Sequence, residues 1–78
     1  MWKIKYCGSW NYKPQAESLS AAMNDAGLTT VIEVGETGQF ELFKIVENYE
    51  GTYMKEGPGI PKFFTLRDVE KKLSGIWI

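Results

Sequence analysis

Tyr6-Cys7-Gly8-Ser9-Trp10-Asn11-Tyr12-Lys13-Pro14 joins a short apolar strand to the first amphipathic helix and holds the only thiol in the chain. On its N-terminal side, Trp2-Lys3-Ile4-Lys5-Tyr6-Cys7 alternates large apolar with basic residues, the period-2 pattern of a strand with one buried face. Trp2, Ile4 and Tyr6 are expected to face the core, with Lys3, Lys5 and Cys7 on the other side. On its C-terminal side, Pro14 suits the first turn of a helix and Glu17 is expected to complement the dipole there. Ala16, Leu19, Ala22, Met23 and Ala26 form one narrow apolar stripe, and Gly27 is placed to end the helix as a left-handed cap.

Working outward, Leu28 to Val34 is rich in threonine and β-branched residues and reads as a second strand. A strand-helix-strand unit implies parallel pairing through a right-handed crossover. After the turn Gly35-Glu36-Thr37-Gly38, Gln39 to Val46 reads as a third strand, apolar on both faces and therefore central. Glu47 to Gly51 reads as a turn and Thr52 to Lys55 as a short antiparallel edge strand. Glu56 to Pro61 reads as a loop. Thr65-Leu66-Arg67-Asp68 has capping-box spacing and opens a last helix carrying Leu66, Val69 and Leu73, which Gly75 ends before the apolar tail Ile76-Trp77-Ile78. The order β-α-β-β-β-α predicts one two-layer α/β domain over residues 1–78, with a four-stranded mixed sheet and both helices on one face.

The chemistry of the chain rests on Cys7. A cysteine at a strand-to-helix turn lies near backbone N–H groups and the positive end of a helix dipole, and both favour a thiolate. Lys5 or Lys13 would add to that effect if close. The same position equally suits a small buried hydrophobe, since unpaired cysteine is among the most buried residue types. Trp10 offers a flat apolar surface beside Cys7, either as a platform for a partner or as core filling.

Tyr-Cys-Gly-x-x-x-Tyr-Lys at positions 6–13 resembles the redox loop of the selenoprotein W-like (Rdx) family, a small branch of the thioredoxin-like fold. Gly35-Glu36-Thr37-Gly38-Gln39-Phe40-Glu41-Leu42 is similar to the family's Thr-Gly-x-Phe-Glu-Val stretch, and Gly51 to Pro61 to its Gly-x-x-x-x-Lys hairpin and Pro-ending loop. The resemblance implies a thioredoxin-like sandwich in which Cys7 is the attacking residue. It also implies that Gly8, Ser9, Trp10, Tyr12, Lys13, Thr37 and Gly38 shape the binding loop. Three departures stand out. The family's second redox position falls on Trp10, which can neither form nor resolve a disulfide, and Asn11 stands where the family usually has glycine. No proline occupies the Thr37-Gly38-Gln39 segment, where many thioredoxin-like proteins set a cis-proline.

The totals narrow the remaining classes. With nine Lys and Arg against ten Asp and Glu, the net charge of −1 leaves no electrostatic footprint for nucleic acid or an anionic membrane. One cysteine makes no internal disulfide, and without histidine neither a metal cluster nor a Cys-His or Ser-His-Asp arrangement is expected. Glu33, Glu36 and Glu41 do not pair for acid-base work. No apolar run approaches the ~20 residues of a membrane span and no signal pattern is seen, so a cytoplasmic protein with no bound cofactor is expected. Two functions follow. One is monothiol redox chemistry through Cys7, with glutathione as co-substrate or a protein thiol or disulfide as partner. The other is a non-catalytic module that binds a protein on the open sheet face, near Val31, Phe43 and Ile45.

Overall fold

The computed structural model describes residues 1–56 and 63–75. It contains β1 (Trp2–Cys7), α1 (Lys13–Asp25), β2 (Thr30–Gly35), β3 (Phe40–Val46), β4 (Tyr49–Lys55) and α2 (Leu66–Leu73). The strands lie in the order β2-β1-β3-β4, with β1 parallel to β2 and antiparallel to β3, and β4 antiparallel to β3. Both helices pack on one face, giving the two-layer α/β sandwich expected from the element order, an arrangement compatible with the thioredoxin-like fold that the resemblance implies. Most of the loop expected at Glu56 to Pro61, and the tail Ile76-Trp77-Ile78, lie outside the described residues. Among the described residues no helix is long and apolar enough to cross a membrane.

Alternation along β1 sets the two faces. Trp2, Ile4 and Tyr6 are buried beneath the helices with Leu19, Met23, Phe40, Leu42, Phe64 and Val69. Lys3 and Lys5 lie on the other face, where Lys3 meets Glu50 at 2.9 Å and Glu33 at 3.7 Å, and Lys5 meets Glu33 at 3.8 Å. The Lys5 ammonium also sits 5.3 Å from the centre of the Phe43 ring. The open face is therefore a charge web over half-buried Phe43 and Ile45, with Val31 exposed at its edge.

Four boundaries differ from the sequence expectation, each for a local reason. Glu17 lies past the first turn of α1, which starts at Lys13. β2 begins at Thr30 rather than Leu28, because Leu28 completes the end of α1. Its N–H donates to the Met23 carbonyl at 2.8 Å, while the Gly27 N–H donates to that of Asn24 at 3.0 Å. β3 begins at Phe40, because Gln39 closes the preceding turn with its N–H on the Glu36 carbonyl at 3.0 Å. β4 begins at Tyr49, because the hairpin turn is only Glu47-Asn48, with φ of 50° and 69°. Positive φ at both central residues matches the twist of the flanking strands.

β4 also carries a bulge. Leu42 pairs with Met54 and Phe43 with Thr52, leaving Tyr53 as the extra residue. Tyr53 consequently joins Met54 on the helix side, where its ring meets Trp2 edge-on at 4.9 Å. α2 opens as expected, with the Thr65 N–H donating to Asp68 Oδ2 at 2.8 Å.

Candidate functional site

Cys7 is the last residue of β1, level with Gly35 of β2, and its N–H donates to the Gln39 carbonyl at 2.8 Å. Strand alternation would have left it on the face of Lys3 and Lys5. It is instead 0 % exposed, because the turns Gly8–Tyr12 and Glu36–Gln39 close over the strand end. Gly8 must be small there, since a Cβ at this position would fall 2.7 Å from Val34 Cγ1. The expected grouping of Cys7 with the lysines is thus corrected.

The groups around the sulfur are hydrogen-bond donors. Burial pushes the Cys7 thiol up, but the N–H of Gly38, the Ser9 hydroxyl and the N–H groups of Trp10 and Ser9 outweigh it, leaving the thiol below its ordinary value. Ser9 Oγ lies 3.7 Å from Cys7 Sγ. Backbone donors replace the cations expected from the sequence. Lys5 is engaged by Glu33 and Phe43, and Lys13 is an exposed residue at the start of α1.

Gly38 is placed by its own turn. Its φ of 79° is one that residues with a Cβ rarely adopt, and the Gln39 side chain fixes the turn by accepting from the Glu36 N–H at 2.8 Å. The Trp10 ring covers Gly38 so closely that a Cβ there would stand 3.4 Å from Trp10 Cζ3. Trp10 is 53 % exposed and meets Tyr12 edge-on at 5.8 Å. Buried Tyr12 continues the stack to Phe63 at 4.8 Å and Phe40 at 6.4 Å. The Tyr12 hydroxyl is held above its ordinary value by burial, then by the charges of Glu56 and Cys7.

Of the residues expected at the site, the structure therefore gathers Cys7, Gly8, Ser9, Trp10, Tyr12 and Gly38, whereas Thr37 and Lys13 are exposed beside it. Gln39 and Glu56 are the participants that sequence reasoning missed. The Gly-x-x-Gly turn before Gln39 could have flagged it; nothing in the pattern points to Glu56.

Chemically, the arrangement stabilises an anion on sulfur while screening it from solvent. Among the described residues no three His, Cys, Asp or Glu side chains converge as metal ligands. No protein-family model, curated protein or solved structure matches this chain.

A stability consequence follows from the thiol alone. With its folded value lower than its unfolded one, the unfolded chain binds more protons in between, so stability rises with pH through that window. The window closes near the free-cysteine value of about 8.5. Urea unfolding of the wild type against Cys7→Ser should show a difference that grows as the pH rises toward about 8.5 and then levels. A difference independent of pH would mean that the donors do not hold the thiolate.

Proposed function

We propose that this chain is a selenoprotein W-like, monothiol redox protein acting through Cys7 in the cytoplasm. The observation that carries the reading is the convergence of the Gly38, Ser9 and Trp10 N–H groups and the Ser9 hydroxyl on a buried sulfur. The Cys7 thiolate attacks one sulfur of a disulfide, the S–S bond breaks, and the second sulfur leaves as a thiolate. A further thiol of glutathione type then cleaves the mixed disulfide and returns the Cys7 thiolate, because Trp10 stands where a resolving cysteine would be.

Full burial of the sulfur favours a second reading, a non-catalytic binding module that retains the loop as architecture. The pH dependence of Cys7 alkylation by iodoacetamide separates the two, followed by intact mass after incubation with oxidised glutathione. A midpoint well below about 8.5 with a stoichiometric adduct supports redox chemistry. An unreactive thiol with no adduct would leave only the binding module.

A further inference from the structure

The strand order β2-β1-β3-β4 leaves two sheet edges, and the chain treats them differently. On β4 the bulge at Tyr53 interrupts the ladder, Lys55 is exposed within the strand, and Lys72 of α2 reaches across to the Tyr53 carbonyl at 2.7 Å. Bulges and lysines keep an edge from pairing with another chain. β2 has neither. Its residues Thr30–Gly35 include no lysine and no proline, and its register with β1 runs unbroken from Trp2 against Thr30 to Cys7 against Gly35.

Backbone alternation fixes what the β2 edge presents. The Trp2 N–H donates to the Thr29 carbonyl at 2.9 Å, so Thr29, Val31, Glu33 and Gly35 turn their backbone groups toward β1. Thr30, Ile32 and Val34 turn theirs outward. The Thr30 N–H is taken by Asn24 Oδ1 of α1 at 2.7 Å, which closes the end of the edge far from Cys7. Among the described residues nothing pairs with the N–H and C=O groups of Ile32 and Val34. Val31 is 38 % exposed and Val34 61 % exposed, and they lie on opposite sides of the strand.

We propose that the β2 edge takes an extended segment of another protein as an added strand, held by the Ile32 and Val34 backbone groups. Its β-branched residues lie beside Val31 and Val34, and a basic residue lies opposite Glu33. Glu33 is the only charge in the strand. It is shared at 3.7 and 3.8 Å by Lys3 and Lys5, whereas the close contact of Lys3, at 2.9 Å, is with Glu50. With its side chain 47 % exposed, Glu33 has room for a cation from outside the edge, and opposite charges across a strand pair are favourable. This pairing uses backbone groups, so it requires neither a reactive Cys7 nor the apolar side chains of the open face.

A second copy of the chain is a poor occupant. The antiparallel register that uses both open residues sets Ile32 against Val34 of the second copy, and therefore Glu33 directly opposite Glu33, a destabilising pair. Sliding the copies one way calls on the Thr30 N–H that Asn24 already holds. Sliding them the other way sets Ile32 against Glu36, past the end of the strand.

The test is amide nuclear magnetic resonance on the isotope-labelled full chain, titrated with a short capped valine-threonine peptide carrying one central lysine. The Ile32 and Val34 amide signals should shift together and saturate, and their hydrogen exchange should slow about tenfold or more. Replacing the peptide lysine by glutamate should weaken binding about threefold. Methylating alternate peptide nitrogens should abolish it. Val34→Pro, which removes an outward N–H that β1 does not use, should lose binding while keeping the rest of the amide spectrum. Shifts confined to β4 or to Phe43 and Ile45, or equal binding of the methylated peptide, would overturn the proposal. So would the absence of any shift at millimolar peptide. Equal binding of the lysine and glutamate peptides would overturn the assignment of a basic partner. Slowed exchange of Ile32 and Val34 that grows with protein concentration in the absence of peptide would overturn the proposal in favour of a second copy.

Discussion

Phe40→Ala should remove much of the stability of the fold. Phe40 is 1 % exposed on the central strand β3, level with Tyr6 of β1, with its ring 5.2 Å from that of Phe63 and 5.0 Å from that of Phe64. Its edge also supports Tyr12 at 6.4 Å, so one side chain joins the sheet, the approach to α2 and the turn over Cys7. Truncating a buried phenylalanine costs about 3–5 kcal/mol. A domain of 78 residues has about 4–12 kcal/mol in all, at ~0.05–0.15 kcal/mol per residue. The urea midpoint should therefore fall by roughly a quarter or more, or the cooperative transition should vanish altogether. Phe43→Ala is the internal control. Phe43 neighbours Leu42 on the same strand but lies half-buried on the open face under Lys5, and its loss should cost much less. Equal midpoint shifts for the two variants would mean that the core is not where the burial pattern puts it.

The same contrast explains how much of the fold was legible in the sequence. Alternation in Trp2 to Tyr6 and punctuation by Pro14 and Gly27 are local signals, and each one held. So did the capping box at Thr65, whose partner Asp68 is within one helical turn. The hairpin was misjudged because its two positive-φ residues, Glu47 and Asn48, include no glycine, while Gly51 suggested a longer turn. The bulge at Tyr53 left no local mark. It arises where two strands meet, and its consequence is the contact of Tyr53 with Trp2 on another strand.

The candidate site divides along the same line. That Cys7 sits at a strand-to-helix turn was readable; what surrounds its sulfur was not. The expected cations were nearby in sequence, yet Lys5 is drawn to Glu33 and Lys13 is exposed on α1. The main donor comes instead from Gly38, on a loop brought to β1 only by the antiparallel pairing of β3. A backbone N–H carries no residue-type signature, so composition could not announce it.

Trp10→Ala should make Cys7 react faster without changing the pH at which it ionises. The two properties have different structural origins. Ionisation depends on the N–H groups of Gly38, Trp10 and Ser9 and on the Ser9 hydroxyl, and alanine at position 10 keeps the backbone donor. Access depends on the indole, which covers Gly38 and meets Tyr12 edge-on at 5.8 Å. With the sulfur 0 % exposed, a reagent reaches it only when the turn opens, and the rate scales with the open population. An aromatic pair contributes about 0.5–1.5 kcal/mol beyond area burial. Losing that contact at the upper end of the range raises the open population about tenfold, at ~1.4 kcal/mol per decade. The alkylation plateau at high pH should accordingly rise about two- to tenfold while the midpoint stays put. A midpoint that moves up with an unchanged plateau would show instead that the indole holds the donors in place. In that case Trp10 contributes to the thiolate itself rather than to its cover.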